Sequence, residues 1–238
     1  MNDIAINIDS VSKAFGPRLV LKNINLAVTG RQSVLLCGVN GAGKSTLLSI
    51  IAGLLQPDRG SVSLCGHSVE KDPETAKPQL GVILHKPMVY SELTVFENLS
   101  FFADLYGVKN ASDRINELLD QVGIYAYRYD RTAILSRGLL QRLAIARALV
   151  HSPKVLLADE PFTGLDTDAC EHLISILTDF ADNSGTVLMT THDTQLGLRC
   201  CRRALVLDKA SLIFDAQVSD LDTAGFSKDF VAYAGGAE

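Results

Sequence analysis

Tryptophan is absent from this 238-residue chain, and no apolar run reaches the length a membrane span requires, because Arg or Asp interrupts every candidate. The start, Met1-Asn2-Asp3-Ile4, lacks the basic-then-apolar profile of a secretory leader, so the chain is expected to stay in the cytosol. Zinc-type spacing is missing as well. The five cysteines, Cys37, Cys65, Cys170, Cys200 and Cys201, form no C-x-x-C pair, and none has a His at finger spacing. In a reducing compartment they are expected to be small buried hydrophobes, with adjacent Cys200 and Cys201 the one pair open to redox chemistry. Basic excess is lacking too: the net charge is −5 and the pI near 5.5, which argues against a nucleic-acid partner. What remains, 47% hydrophobic and 21% charged residues, suits one large α/β core or a core with a smaller lobe.

The residues with most to say are Gly38-Val39-Asn40-Gly41-Ala42-Gly43-Lys44-Ser45, which satisfy G-x-x-x-x-G-K-[ST]. Ser33-Val34-Leu35-Leu36-Cys37 before them reads as a buried parallel strand, and Thr46 to Ile51 after them as the start of a buried helix. A glycine-rich turn between core elements would explain the glycines but not all four fixed positions with both flanks. In a P-loop, backbone N–H groups curl around phosphate oxygens and the helix N-terminus adds its positive dipole end. Lys44 then reaches the β- and γ-phosphates, and the Ser45 hydroxyl is placed to ligate Mg²⁺.

Around this motif the chain alternates between two patterns. Ile4 to Ile8 alternates apolar and polar residues, as do Ser61 to Leu64, and 19–21 and 24–28 read as two strands joined by a Lys22-Asn23 turn. These predict an N-terminal antiparallel sheet beside the P-loop core. The runs 81–84, 155–158, 187–190 and 205–207 read as buried parallel strands. Between the first two, 95–149 is mostly helical, with Ile115, Leu118, Leu119 and Val122 on one face of a helix over 111–122. The expected organisation is a core over 1–86 and 136–220, an inserted helical lobe over 87–135, and a weakly patterned tail over 221–238. Regularity is expected to fade after about Asp215, with Gly235-Gly236 frayed.

Two further constellations carry chemistry. Val155-Leu156-Leu157-Ala158 ends in Asp159 and Glu160, and carboxylates at the carboxyl end of a parallel strand face the nucleotide crevice. There Asp159 suits the Mg²⁺ shell and Glu160 the polarisation of an attacking water. After the helical stretch comes Leu135-Ser136-Arg137-Gly138-Leu139-Leu140-Gln141-Arg142, opening a helix through Ala144, Ala148 and Leu149.

At this point the chain resembles the ATP-binding-cassette family over nearly its whole length. The P-loop, an LSGGQ-like signature, the acidic strand end, Thr163-Gly164-Leu165-Asp166 and Thr191-His192-Asp193 follow one another in the family's order. Arg137 stands where the family has its first signature glycine and Leu139 where it has the final glutamine, while Ser136 and Gly138 are kept. The resemblance implies an ATPase with a mixed or parallel sheet, an antiparallel β subdomain and a helical subdomain. It implies ATP and Mg²⁺ as cofactors, bound by Gly38, Asn40, Gly41, Gly43, Lys44, Ser45 and Thr46, with Phe15 stacking on adenine. Lys44, Glu160 and His192 would be catalytic. Ser136 and Gly138 of a second, head-to-tail subunit would meet the γ-phosphate, with Asp166 at the seam. His85 stands where the family places a glutamine that contacts Mg²⁺ or water, and so joins Ser45 and Asp159 as a metal-site candidate that would make turnover pH-sensitive.

The segment 88–99 would form the groove that receives a cytoplasmic helix of a membrane permease. With no span of its own, the chain would be a motor lying peripherally on the inner face of the cell membrane. His85-Lys86-Pro87, Glu92-Leu93-Thr94 and Leu135-Ser136-Arg137-Gly138 look like the haem-exporter ATPases of cytochrome c maturation, and less like importers, which usually keep LSGGQ and the glutamine. Other classes stay open. A soluble cassette ATPase of translation or DNA repair would usually carry tandem cassettes or a long coiled coil. A small-molecule kinase would need a lid and no signature, and a non-hydrolysing module fits poorly with Glu160 and His192.

Overall fold

In the computed structural model, residues 4–84, 87–183 and 185–235 are described. Strand β1 (Ile4–Phe15) turns through Gly16-Pro17 into β2 (Arg18–Thr29), and β3 (Ser33–Cys37) runs into the glycine loop and α1 (Lys44–Ile51). Then follow β4 (Arg59–Leu64), the short β5 (His67–Ser68), α2 (Pro73–Ala76) and β6 (Leu80–Ile83). Helices α3 (Val95–Leu105), α4 (Ala111–Gln121) and α5 (Arg137–Leu149) precede β7 (Val155–Asp159). The chain closes with α6 (Thr167–Asn183), β8 (Thr186–Thr190), α7 (Thr194–Cys200), β9 (Arg203–Asp208), β10 (Ser211–Gln217), α8 (Thr223–Lys228) and α9 (Phe230–Gly235).

Two sheets result. One is antiparallel in the order β2-β1-β4-β5; the other runs β10-β9-β3-β8-β7-β6, with β9, β3, β8, β7 and β6 mutually parallel and β10 antiparallel at the edge. Because β3, β7 and β8 are buried on both faces, alternate residues enter different cores. Val34, Leu36, Leu157 and Leu188 pack with α1 and the antiparallel sheet. Leu35, Cys37, Leu156, Ala158, Val187 and Met189 pack with the helices of the other side. This double burial is why these strands read as unbroken apolar runs. Four cysteines are buried and Cys65 is half-buried; burial pushes the Cys37 thiol up to about 12 and raises Cys201, so both stay protonated. Among the described residues, no helix is long and apolar enough to cross a membrane.

Two sequence expectations need correction. Lys22-Asn23 is not a turn between strands: β2 is continuous, and Asn23 sits in it at φ 49, with its N–H donating to Ser12 Oγ at 2.9 Å. The register of β1 against β2 shifts there, and Ser10, at φ 53, donates to Asn25 Oδ1 at 2.9 Å. An Asn that tolerates the left-handed region signals a bulge as readily as a turn.

Regular structure does not fade after Asp215 either. β10 continues to Gln217, and α8 and α9 follow, with α9 reaching Gly235; Gly236 lies outside the described residues. Phe226 is fully buried, with Phe214 at 5.7 Å and Tyr233 at 5.6 Å between ring centroids. Each of these helices has six residues, too few to show a period, so the tail is anchored by separated aromatics instead.

Candidate functional site

β3 is buried along all five residues, which fixes where its carboxyl end delivers the glycine loop. Two glycines there are obligatory on steric grounds. A Cβ on Gly38 would stand 2.5 Å from the Leu207 carbonyl oxygen. Gly43 has φ 111, and its Cβ would stand 2.8 Å from the Val20 carbonyl oxygen. The first turn of α1 holds no acidic residue, so its N-terminal amides keep their pull on an anion. Lys44 is only 9% exposed and folds back over the loop, donating to the carbonyls of Gly38 at 2.6 Å and Val39 at 3.3 Å. Phosphate oxygens, being charged, are stronger acceptors for the same ammonium.

β8 lies next to β3 and β7 next to β8, all parallel, so their carboxyl ends open on the same edge of the sheet as this loop. Asp159 pairs in register with Thr190, whose hydroxyl donates to Asp159 Oδ1 at 2.6 Å. Glu160 leaves the strand at φ 55, in the left-handed region, and its amide donates to the Thr190 carbonyl at 3.1 Å. Its carboxylate is held on β8's side: the His192 amide donates to Oε2 at 2.9 Å, and His192 Nε2 lies 3.3 Å from Oε1. A non-glycine residue in the left-handed region, held by two hydrogen-bonding neighbours, has its carboxylate fixed in place.

Phe15, Asn40, Gly41, Gly43, Lys44, Ser45, Thr46, Asp159, Glu160 and His192 line a single cavity of about 620 Å³. All had been singled out from the sequence. Phe15 ends β1 and is 51% exposed, available as a platform. Ser45 and Asp159 face the cavity with oxygen donors, a set whose hardness fits Mg²⁺. His85 lies outside the described residues.

Ser136 and Gly138 are not part of that lining. Ser136 caps α5, its hydroxyl accepting from the Leu139 amide at 3.3 Å, and no acid sits in that helix's first turn. Asp166 caps α6 by accepting from the Ala169 amide at 2.8 Å.

The sequence reading gave no role to two residues that the structure brings forward. Gln141, 8% exposed on α5, donates from Nε2 to the Pro161 carbonyl at 2.8 Å and so ties the signature helix to the residue after Glu160. Arg18, at the start of β2, lines the cavity and donates to the Gly41 carbonyl at 3.2 Å. Neither had a spacing signal; each acts through a tertiary contact.

A second concavity, about 220 Å³, opens between α1 and β6 on one side and α3 and α5 on the other. Leu54, Met88 and Tyr106 at its rim are 61%, 49% and 38% exposed. Arg147 is 9% exposed at its floor, donating to the Val82 carbonyl at 2.6 Å, and among the described residues no acidic side chain lines the groove. In the segment 88–99, Val95 and Leu99 are buried whereas Met88 and Tyr90 are exposed. Asn98, fully buried, fastens the loop by exchanging hydrogen bonds with both the amide and the carbonyl of Tyr90.

Comparison with known proteins agrees with this geometry. The ABC transporter family model matches residues 21–163. The uncharacterized ABC transporter ATP-binding protein YdbJ of Bacillus subtilis (strain 168) is 33% identical over 223 residues, 93% of this chain and 72% of that protein. The Nod factor export ATP-binding protein I of Paraburkholderia xenovorans (strain LB400) is 32% identical over 237 residues, 99% of this chain and 78% of that protein. A solved structure of an ATP-binding subunit of an ABC transporter superposes with a TM-score of 0.87 at 27% identity, covering 97% of each chain.

Proposed function

The chain belongs to the ABC transporter family, as an ATP-binding and ATP-hydrolysing subunit, and we propose that it is the motor of an exporter whose solute crosses through a separate membrane permease. The observation that carries this reading is the meeting of Glu160 and His192 with the P-loop in one cavity. Export is supported by the relative named for Nod factor export, similar along 99% of this chain.

In the mechanism we propose, the amides of Gly41 and Gly43 and the Lys44 ammonium hold the β- and γ-phosphates, and Phe15 carries adenine. Ser45 and Asp159 would hold Mg²⁺, which supplies charge neutralisation on those phosphates. Glu160 takes the proton of the attacking water, and His192 steadies both that carboxylate and the γ-phosphate. Thr190 keeps Asp159 in a fixed rotamer. Since Ser136 and Gly138 stand away from this cavity, they serve a second subunit, and two head-to-tail copies complete two equivalent sites. The exposed apolar rim over Arg147 is the surface we assign to the permease, which brings the subunit to the inner face of the membrane. In this reading residues 87–135 act as the helical lobe that passes nucleotide-driven closure to that surface.

The test uses the Glu160→Gln protein purified from its own cell membranes with ATP and Mg²⁺. A co-purifying protein with several membrane spans is expected. A haem absorption band with it would identify haem as the solute, the branch that the resemblance at His85-Lys86-Pro87, Glu92-Leu93-Thr94 and Leu135-Ser136-Arg137-Gly138 implies. Soluble partners alone, found reproducibly, would move the protein to the non-transport cassette ATPases.

A further inference from the structure

Two cations stand at the hairpin end where β1 passes into β2, and they are treated differently by their surroundings. Lys13 is paired with Asp58 at 2.8 Å. Arg18 forms no ion pair among the described residues; its one hydrogen bond runs from Nη2 to the Gly41 carbonyl at 3.2 Å, long for a guanidinium. Arg18 is the direct register partner of Phe15, so the adenine platform and the guanidinium are carried by the same two-residue turn. Both line the cavity, where Arg18 is exposed and Lys44 is buried.

From this placement we propose that Arg18 is a nucleotide-contacting residue that exchanges the Gly41 carbonyl for phosphate oxygens of ATP or ADP. The argument rests on the nucleotide site described above. The guanidinium lies between the ring that would hold the base and the loop that would hold the phosphates, so the oxygens nearest it belong to the phosphate tail next to the ribose. A phosphate oxygen is charged and Gly41's carbonyl is not, and charge-assisted hydrogen bonds are roughly twice as strong as neutral ones. The exchange therefore runs toward the nucleotide. Arg18 is solvent-exposed, so its removal leaves the folded chain intact.

The experiment compares wild type, Arg18→Gln and Arg18→Lys for ATP, ADP and adenosine by competition against a fluorescent nucleotide, with Lys44→Ala as a phosphate-binding control. Arg18→Gln is expected to weaken ATP and ADP about five- to tenfold, which corresponds to about 1–1.4 kcal/mol, and to leave adenosine unchanged. Arg18→Lys should recover most of the loss, and the loss should shrink as salt screens the contact. Unchanged ATP affinity in Arg18→Gln overturns the proposal. So does an equal loss for adenosine, which would show that Arg18 merely holds the turn under Phe15. A wild-type protein that binds no ATP would instead overturn the nucleotide site itself.

Discussion

The carboxylate of Glu160 is gripped twice by His192, by its backbone amide at Oε2 (2.9 Å) and by its imidazole at Oε1 (3.3 Å). The two residues come from the ends of β7 and β8, adjacent strands of the parallel sheet, and Glu160 reaches the pair only by leaving its strand at φ 55. One contact is main-chain and survives any substitution at position 192 except proline, so the two can be separated experimentally.

His192→Ala removes the imidazole and keeps the amide. Its ATP turnover is expected to fall about 10²-fold, and that of Glu160→Gln by about 10²–10⁴, with ATP binding preserved in both. If the imidazole acts through the Glu160 carboxylate it touches, the double variant should be no slower than Glu160→Gln alone. Multiplicative losses in steady-state kinetics would show that they act independently.

Gln141 is a positioning residue, holding the loop after Glu160 to the signature helix. Gln141→Ala leaves the Pro161 carbonyl without its buried donor, at a cost of about 1–3 kcal/mol. Urea unfolding should show a lower midpoint at the same slope, and turnover should fall while KM for ATP holds. An unchanged midpoint would mean that this bond contributes nothing to the fold.

Phe226 makes the C-terminal helices part of the core. Phe226→Ala should cost about 3–5 kcal/mol in chemical denaturation, as for other fully buried aromatics. A loss below about 0.5 kcal/mol, the level of an ordinary surface change, would mean that the tail packs without supporting the sheet.

His151 closes one side of the groove, stacked on Tyr106 at 3.9 Å with Nε2 3.1 Å from the Leu80 carbonyl. That carbonyl assigns the proton to Nε2. Burial, aided by the charges of Arg147 and Arg114, holds the imidazole below its ordinary value of 6.5, and Lys77 adds a further cation to the same groove. The folded state thus binds a proton less readily than the unfolded one. Stability from this group is present above pH 6.5 and is lost as pH falls through the lower folded value. Thermal unfolding between pH 7.5 and about 5 should show a steeper acid loss for wild type than for His151→Gln, the window following from the ordinary His value. Parallel curves would remove His151 from the account.

The order of elements was legible in the residues because the central strands β3, β7 and β8 are buried on both faces and so carry apolar runs. The P-loop was legible because phosphate binding needs glycine at fixed offsets, and the carboxylate pair Asp159-Glu160 because it follows such a run directly. Asn23 misled, since a left-handed Asn looks alike in a turn and in a bulge. The tail misled because α8 and α9 are too short for periodicity to show.

The sequence by itself determined that a strand, a glycine loop and a helix would bind phosphate, and that acidic and imidazole groups would follow at strand ends. It could do so because those constraints are local, written in φ angles and side-chain chemistry over a few residues. The tertiary structure decided which groups meet. The placement of β8 between β3 and β7 brings His192 to Glu160, the β1–β2 turn delivers Arg18 to Gly41, and Gln141 reaches Pro161 from another helix. Each of these contacts joins residues far apart in the chain, and only the packing of the two cores sets their separation.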